Sequence, residues 1–92
     1  SQNLQALFAH IPGLKVVMPA TAQDAKGLLL SSIFDDNPVI FLEHRWLYDL
    51  EGDVPENDFK VPIGKAQRLK AGKDISIISF SYMTIEALHA IE

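Results

Sequence analysis

Two adjacent carboxylates, Asp35 and Asp36, stand where a predicted helix ends and just before Asn37-Pro38, in the stretch IFDDNPVIF. The C-terminal end of a helix carries partial negative charge, so carboxylates there should lower its stability. A hard cation, which takes about six to eight oxygen ligands, would reverse that cost, because unpaired helix carbonyls and neighbouring carboxylate and amide oxygens supply such ligands. Asp and Asn before a proline are equally ordinary turn-forming residues. The residues alone therefore leave open a cation site or a plain turn in which Asp36 faces solvent.

Charged side chains give a second candidate at the end of the next predicted strand. Glu43, His44 and Arg45 follow that strand at the edge where parallel α/β sheets place ligands. They are a candidate interface or site, with surface salt bridging as the alternative. The other histidines, His10 and His89, lie on different elements, and no two of the three have the i, i+4 spacing of a helical metal site.

Composition removes several kinds of chemistry. The chain has no cysteine, hence no disulfide, thiolate metal site or cysteine nucleophile. No serine lies in a Gly-x-Ser-x-Gly context and the five glycines are isolated, so neither a serine nucleophile nor a phosphate-binding glycine loop is predicted. A net charge of -4 without a basic run argues against a nucleic-acid partner. The longest apolar runs fall far short of the ~20 residues that span a bilayer, which argues against a membrane.

The elements that must position these residues form a predicted βαβ unit. Apolar residues at i, i+3, i+4 and i+7 over residues 4–11 predict a helix, and the valine-rich run 14–18 predicts a buried strand. A second helix begins after Thr21, whose hydroxyl can cap its first amides, and stops before Asn37-Pro38. Residues 39–42 are the second strand. This order within about thirty residues is typical of a right-handed parallel βαβ unit.

The second half of the chain changes character. Trp46-Leu47-Tyr48 is typical of a hydrophobic plug between domains or subunits, and residues 48–62 form a connector rich in Asp, Glu, Gly and Pro. Residues 63–70 are predicted to be extended, 75–80 to form a buried strand, and 83–92 to begin a helix. Strands covered on both faces need sheet neighbours that neither half supplies. We therefore expect an excerpt that spans a domain boundary.

Four blocks of the sequence resemble one enzyme family. They are residues 8–19, 24–29, 36–43 and 61–66. At these spacings the chain resembles the beta subunit of the decarboxylating component of 2-oxo acid dehydrogenase complexes, which pyruvate, branched-chain 2-oxo acid and acetoin dehydrogenases share. The resemblance implies an α/β fold in three parts. Residues 1–47 would end a parallel-sheet, transketolase-like pyrimidine-binding domain, 48–62 would be an acidic linker, and 63–92 would start a transketolase C-terminal-like α/β domain.

For the complete enzyme, the resemblance implies thiamine diphosphate and magnesium as cofactors, decarboxylation of a 2-oxo acid, and transfer of the acyl group to a lipoyl domain. It implies three partners, namely an alpha subunit, a second beta subunit and a dihydrolipoamide acyltransferase core, in a bacterial cytoplasm or a mitochondrial matrix. The family's catalytic histidine immediately precedes the Ser-Gln that matches Ser1-Gln2. No catalytic or cofactor-binding residue therefore carries over, and residues 1–92 alone are expected to be inactive.

The resemblance also implies a potassium ion at the end of the second helix. In several beta subunits the ion is held there by backbone carbonyls and an asparagine side chain. The matching positions here are Ser32, Ile33, Asp35 and Asn37. Phe34 stands where the family usually has a basic or polar residue.

Two other interpretations remain open at this point. One is a free-standing, non-enzymatic α/β interaction module with the family's sequence. The other is a part of a different thiamine enzyme, of the transketolase or deoxyxylulose phosphate synthase type, although the block 61–66 and the Asp-Asn-Pro sequence argue against it.

Overall fold

The computed structural model describes residues 4–92, so the Ser1-Gln2 position used above lies outside the described part of the chain. The elements are α1 (Gln5–Ala9), β1 (Lys15–Val17), α2 (Ala22–Ile33), β2 (Val39–Phe41), a 3-10 helix (Arg45–Leu47) and α3 (Tyr82–Ala90). The first two helices, both strands and the last helix thus fall where the sequence predicts them. Each is a little shorter than its predicted range.

The first half is a parallel βαβ unit, as predicted. Strands β1 and β2 pair in parallel, with Lys15 opposite Val39 and Val17 opposite Phe41, and α2 makes the connection between them. Helix α2 begins where expected because the Oγ1 atom of Thr21 accepts a hydrogen bond of 3.1 Å from the backbone N–H of Asp24. The C-terminal end of α2 therefore lies at the edge of the sheet where both strands begin.

The prediction of a strand over residues 75–80 is wrong for this chain. Within residues 4–92, no backbone group of the segment 62–80 pairs with another backbone group, and the three isoleucines of residues 75–80 are exposed, Ile78 to 96%. A strand exists through its hydrogen-bonded neighbour, and the described chain offers none here. The apolar pattern is present, but the partner that would make it a strand is missing.

Few apolar side chains are fully buried. Among the described residues, the buried apolar side chains are those of Val17, Pro19 and Ala20. The predicted apolar face of α1 is largely open, since Leu7 is 62% exposed. Within residues 4–92, no helix is long and apolar enough to cross a membrane.

Candidate functional site

The carboxylate of Asp35 is held by two groups just beyond the end of α2. Its Oδ2 atom lies 2.8 Å from Nζ of Lys15, and its Oδ1 atom accepts a hydrogen bond of 2.8 Å from the backbone N–H of Asn37. The hydrogen bond from Lys15 and then that from Asn37 lower the pKa of Asp35 below its ordinary value of 3.8. The negative charge that looked misplaced at a helix C-terminus thus has a cationic partner, which the βαβ crossover brings from the start of β1.

The turn that follows α2 is closed by further polar contacts. Nδ2 of Asn37 donates a hydrogen bond of 3.2 Å to the carbonyl of Gly13, a glycine with φ of 83° in the turn before β1. The hydroxyl of Ser32 donates to the carbonyl of Leu28 at 2.7 Å, and its own carbonyl accepts the N–H of Asp35 at 3.3 Å. The four predicted potassium positions are therefore all part of one helix end, together with Asp36, which is exposed as the turn interpretation expects.

Some oxygens of this helix end already accept hydrogen bonds, and others do not. Both carboxylate oxygens of Asp35 accept hydrogen bonds, whereas the backbone carbonyls of Ile33 and Asp35 and the Oδ1 atom of Asn37 receive none from the described residues. These three are neutral carbonyl-type oxygens, a donor type that suits a monovalent hard cation. Potassium at this helix end stays a prediction, for which these carbonyl-type oxygens rather than the carboxylate are the available ligands.

An exposed aromatic side chain covers this region. The ring of Phe34 lies beneath Nζ of Lys60, which is 4.3 Å from the ring centroid. At this position the aromatic residue therefore joins the helix end to the connector through a cation–π contact.

Three aromatic rings meet at the other edge of the sheet, after β2. The ring of His44 stacks on Tyr82 at a centroid distance of 4.9 Å and contacts Trp46 edge-on at 5.5 Å, while Trp46 and Tyr82 pack edge-to-face at 5.1 Å. His44 also caps the 3-10 helix, since its Nδ1 atom accepts the backbone N–H of Trp46 at 3.2 Å. This aromatic cluster joins the βαβ unit to the first turn of α3.

The remaining candidates at this edge line a shallow cleft. The Tyr48 hydroxyl donates a hydrogen bond of 2.9 Å to Oε2 of Glu43, which raises the pKa of Tyr48 above its ordinary value of 10.0. Both residues and His44 line a cleft of about 240 Å³ beside the Pro19–Ala20 turn. Arg45 belongs to the 3-10 helix but not to the cleft. The interface or site predicted at Glu43, His44 and Arg45 stays a prediction, and the structure places the first two of these residues in the cleft.

The connector lies along α2, which the sequence did not predict. Nζ of Lys26 donates to three successive backbone carbonyls, those of Pro55, Glu56 and Asn57, at 2.7, 3.3 and 3.0 Å, and lies 5.4 Å from the ring centroid of Phe59. A lysine ammonium has three protons to donate, and here each carbonyl is within reach of one. The side chain fixes the acidic segment to the helix.

A buried glycine allows the connector to approach α2 closely. Gly27 is the only buried residue of that helix, its carbonyl accepts the N–H of Val61 at 3.1 Å, and the hydroxyl of Ser31 donates to the Val61 carbonyl at 2.6 Å. A methyl group at Gly27 would collide with Cγ2 of Val61 and lie 2.9 Å from Cε2 of Phe59. The sequence predicted that Gly27 permits a close neighbour, and the structure identifies Val61.

The described residues do not fit the thiamine diphosphate and magnesium that the resemblance implies for the complete enzyme. Within residues 4–92, no three His, Cys, Asp or Glu side chains are grouped so that they could hold a metal ion. The glycines are isolated in sequence and build no phosphate cradle. No catalytic step is therefore assigned to this chain.

Comparison with known proteins agrees with the βαβ unit. The family model described as transketolase, pyrimidine binding domain matches residues 1–51. The chain therefore belongs to the transketolase pyrimidine-binding domain family, and the predicted α/β class is confirmed.

Similarity along nearly the whole of this chain indicates which kind of protein within that family it resembles. The chain is 53% identical over 90 residues to the beta subunit of acetoin:2,6-dichlorophenolindophenol oxidoreductase from Cupriavidus necator, covering 98% of this chain and 27% of that protein. It is 47% identical over 93 residues to 2-oxoisovalerate dehydrogenase subunit beta from Bacillus subtilis, covering 100% of this chain and 28% of the relative. It is 50% identical over 90 residues to pyruvate dehydrogenase E1 component subunit beta from Rickettsia felis, covering 98% and 28%. The resemblance to 2-oxo acid dehydrogenase beta subunits is thereby confirmed, and the chain spans about a quarter of the length of these relatives.

Proposed function

We propose that this chain is part of the beta subunit of a thiamine-diphosphate-dependent 2-oxo acid dehydrogenase, which decarboxylates a 2-oxo acid and passes the acyl group to a lipoyl domain. The observation that carries the proposal is identity of about half over 98% to 100% of the chain to three beta subunits. Their names point to acetoin, 2-oxoisovalerate and pyruvate, so the similarity supports the subunit type and not one substrate.

The role of this segment is inferred from the large apolar side chains that its surface exposes. Large apolar side chains stand open on α1, on residues 75–80 and on α3, where Met83 is 61% exposed. Such surface is what an obligate interface or a larger core covers. We propose that an alpha subunit, a second beta subunit and the rest of the beta chain cover it, that an acyltransferase core receives the acyl group, and that the segment is inactive alone.

The same surface disfavours a free-standing interaction module. A module would bury its own core, whereas the large apolar side chains of the described residues stay at least partly exposed, and Val17 is the largest aliphatic side chain that is buried. The proposed subunit assignment includes the division into residues 1–47, 48–62 and 63–92. It also includes a bacterial cytoplasm or a mitochondrial matrix as the compartment, since the relatives include bacterial and mitochondrial proteins.

The proposal is tested by grafting. Residues 1–92 replace the matching segment of the 2-oxoisovalerate dehydrogenase beta subunit of Bacillus subtilis, and the hybrid is expressed with its alpha subunit beside the unaltered enzyme. We expect assembly and cofactor-dependent decarboxylation by the hybrid, and none by residues 1–92 alone. A hybrid that folds but does not associate with the alpha subunit would contradict the proposal, as would decarboxylation by the isolated chain.

At the end of α2, the carbonyl oxygens of Ile33 and Asp35 and the Oδ1 atom of Asn37 support a proposed structural potassium site, with Ser32 closing the last turn of the helix. Replacing potassium by lithium in the hybrid should loosen residues 32–37, because the smaller lithium ion contacts fewer oxygens at once than potassium does. Amide hydrogen exchange measures this. Equal exchange of that segment in both salts would remove the ion from the proposal and leave the subunit assignment standing.

A further inference from the structure

The shallow cleft after β2 is lined mainly by apolar side chains and is bordered by exposed aromatic rings. Leu47 and Leu50 line it together with alanines from the start of α2. Tyr48 belongs to the same lining and is 65% exposed, and Trp46 beside it is 73% exposed. Exposed aromatic side chains of this kind are typical of protein interfaces. The proposed function leaves this surface without a partner.

Carboxylates border the cleft. Glu43 supplies the one carboxylate of the lining among the described residues, and the exposed Asp49 and Glu51 precede and follow a lining residue. A methyl group added at Gly52 would lie 3.9 Å from Cβ of Ala22, so the chain is still beside the cleft at this point. Among the described residues, the lining includes no lysine or arginine. Glu43 and residues 46–53 are called the acidic face below.

The charges of the chain are separated along the sequence. Residues 43–58 contain six carboxylates and one arginine, whereas residues 60–73 contain five lysines and arginines and no carboxylate. In the part of the chain that the structure describes, the one ion pair joins Lys15 and Asp35. Two neighbouring segments of opposite charge therefore stay unpaired with each other.

Residues 64–73, called the basic segment, match the acidic face in both charge and apolar character. All ten of these residues are exposed. Leu69 is 52% exposed and lies between Arg68 and Lys70, so an apolar side chain between two cations corresponds to a leucine-lined cleft bordered by carboxylates. No residue of the basic segment lines the cleft. The described chain thus does not make this contact with itself.

We propose that the acidic face binds the basic segment of a second copy of this chain. Because each copy carries both surfaces, two copies related by a two-fold axis make the contact twice. Charge complementarity selects the partner, since opposite charges orient an interface and like charges oppose other pairings. The inference rests on the proposed second beta subunit and specifies the surfaces through which two copies meet.

A charge swap in the intact protein that contains this chain tests the contact. The lysine variant carries Asp49→Lys, Glu51→Lys and Asp53→Lys, and the glutamate variant carries Lys65→Glu, Arg68→Glu and Lys73→Glu. Two like copies then repel in both contacts, whereas a mixed pair attracts in both. Native mass spectrometry of the two variants, produced together with different tags, should show about a tenfold or larger excess of mixed pairs over random pairing. Random pairing overturns the proposal.

A second lysine variant separates the contact from the effect of net charge. It carries Asp36→Lys, Asp58→Lys and Glu92→Lys, which reverse three exposed carboxylates outside the acidic face. Its net charge equals that of the first lysine variant, yet its pairing with the glutamate variant should be close to random. An equal excess of mixed pairs with both lysine variants overturns the proposal. In about 1 M salt, where the Debye length is about 3 Å, the excess seen with the first variant should fall.

Cross-linking of the unaltered protein gives a measurement that needs no variant. A carbodiimide joins a carboxylate directly to a lysine amine, and a mixture of unlabelled and isotope-labelled copies separates links between copies from links within one. We expect links between copies that join Asp49 or Glu51 to Lys65 or Lys70. Links from the acidic face only within one copy, or to a different polypeptide, overturn the proposal. If the hybrid beta subunit fails to assemble while these links are found, the subunit assignment falls and the contact stands.

Discussion

Replacing Gly27 by alanine should detach the connector from α2. The added methyl group has no space, because it would collide with Cγ2 of Val61 and stand 2.9 Å from Cε2 of Phe59. Rotation of the Val61 side chain could move Cγ2 but not Cβ, which would lie 3.1 Å from the added methyl group, so relief of the contact requires the Val61 backbone to shift. That backbone is tied to the helix through the Gly27 carbonyl and the Ser31 hydroxyl.

Whether Gly27→Ala stabilises or destabilises this contact depends on two opposing free-energy contributions, the higher helix propensity of alanine and the cost of the added methyl group. Alanine in place of glycine inside a helix is worth about 1 kcal/mol, whereas an extra methyl group in a packed site costs about 1–3 kcal/mol. If the connector moves away to relieve the collision, each of the two hydrogen bonds to Val61 is lost at about 1 kcal/mol. The free energy that holds the connector on α2 should therefore fall by about 1–2 kcal/mol, a factor of about 5 to 30 in the closed-to-open ratio.

Amide exchange at Val61 reports this local opening and does not require cooperative unfolding of the whole chain. Gly27→Ala should speed exchange there by that factor. Gly72→Ala is the matched control, because a methyl group at Gly72 meets no atom within 4 Å. Adding Val61→Ala to Gly27→Ala removes the colliding Cγ2 atom and should restore about 1 kcal/mol as a coupling energy.

The reasoning about close packing would be refuted if Gly27→Ala and Gly72→Ala gave equal exchange at Val61. It would also be refuted if the double variant were no more protected than the sum of the single variants predicts. In either case the connector would lie on α2 for reasons other than the space that glycine leaves.

Three further predictions concern single contacts. The pKa of Asp35 is lowered on folding, so its stabilising contribution is complete above the ordinary value of 3.8 and is lost as pH falls through the folded value. The protection factor of the Asn37 amide, which is its exchange rate relative to that of an unstructured amide at the same pH, should therefore fall in acid, and Asp35→Asn should abolish that dependence. Lys26→Gln removes the ammonium that binds three connector carbonyls and should make residues 53–58 more susceptible to limited proteolysis. Tyr82→Ala removes a ring that packs on both His44 and Trp46, so the near-UV circular dichroism bands of the single tryptophan should weaken as the indole loses its fixed orientation.

Each of these has a neighbouring control. Asp36→Asn removes an exposed carboxylate and should leave the acid dependence in place. Lys73→Gln removes a charge of the same kind that makes no hydrogen bond within the described residues, and should not change proteolysis of the connector. Tyr48→Phe breaks the bond to Glu43 without touching the aromatic cluster and should leave the tryptophan spectrum unchanged. A control that behaves like its test variant contradicts the corresponding prediction.

Local signals in the sequence identified the local structure. Thr21 caps α2 through an amide three residues away, and the apolar spacing of the helices and of the two paired strands depends on similarly short distances along the chain. The contacts that the sequence did not predict join residues far apart in it. Lys15 meets Asp35 across 20 positions, and Lys26 meets Pro55 across 29. Lysines are common enough that no spacing rule selects these two, so only the folded backbone shows which carbonyls and carboxylates they reach.

For the segment 75–80, the sequence predicted an element that the structure does not form. Its isoleucines are those of a buried strand, and the sequence was interpreted accordingly, but burial and strand pairing are properties of neighbours and not of the segment itself.

The carboxylates at the end of α2 can now be separated from the question of the ion. In a parallel βαβ unit the C-terminal end of the connecting helix and the first residue of the first strand lie at the same edge of the sheet, so Lys15 reaches Asp35 whatever else is bound. The Asp35 carboxylate is thus accounted for by an ion pair and a hydrogen bond within the turn. A potassium ion would instead depend on the backbone carbonyls of Ile33 and Asp35 and on the side chain of Asn37. The two roles respond to different changes. Asp35→Asn should loosen the turn in both potassium and lithium salts, whereas replacing potassium should loosen it only if an ion binds the carbonyls.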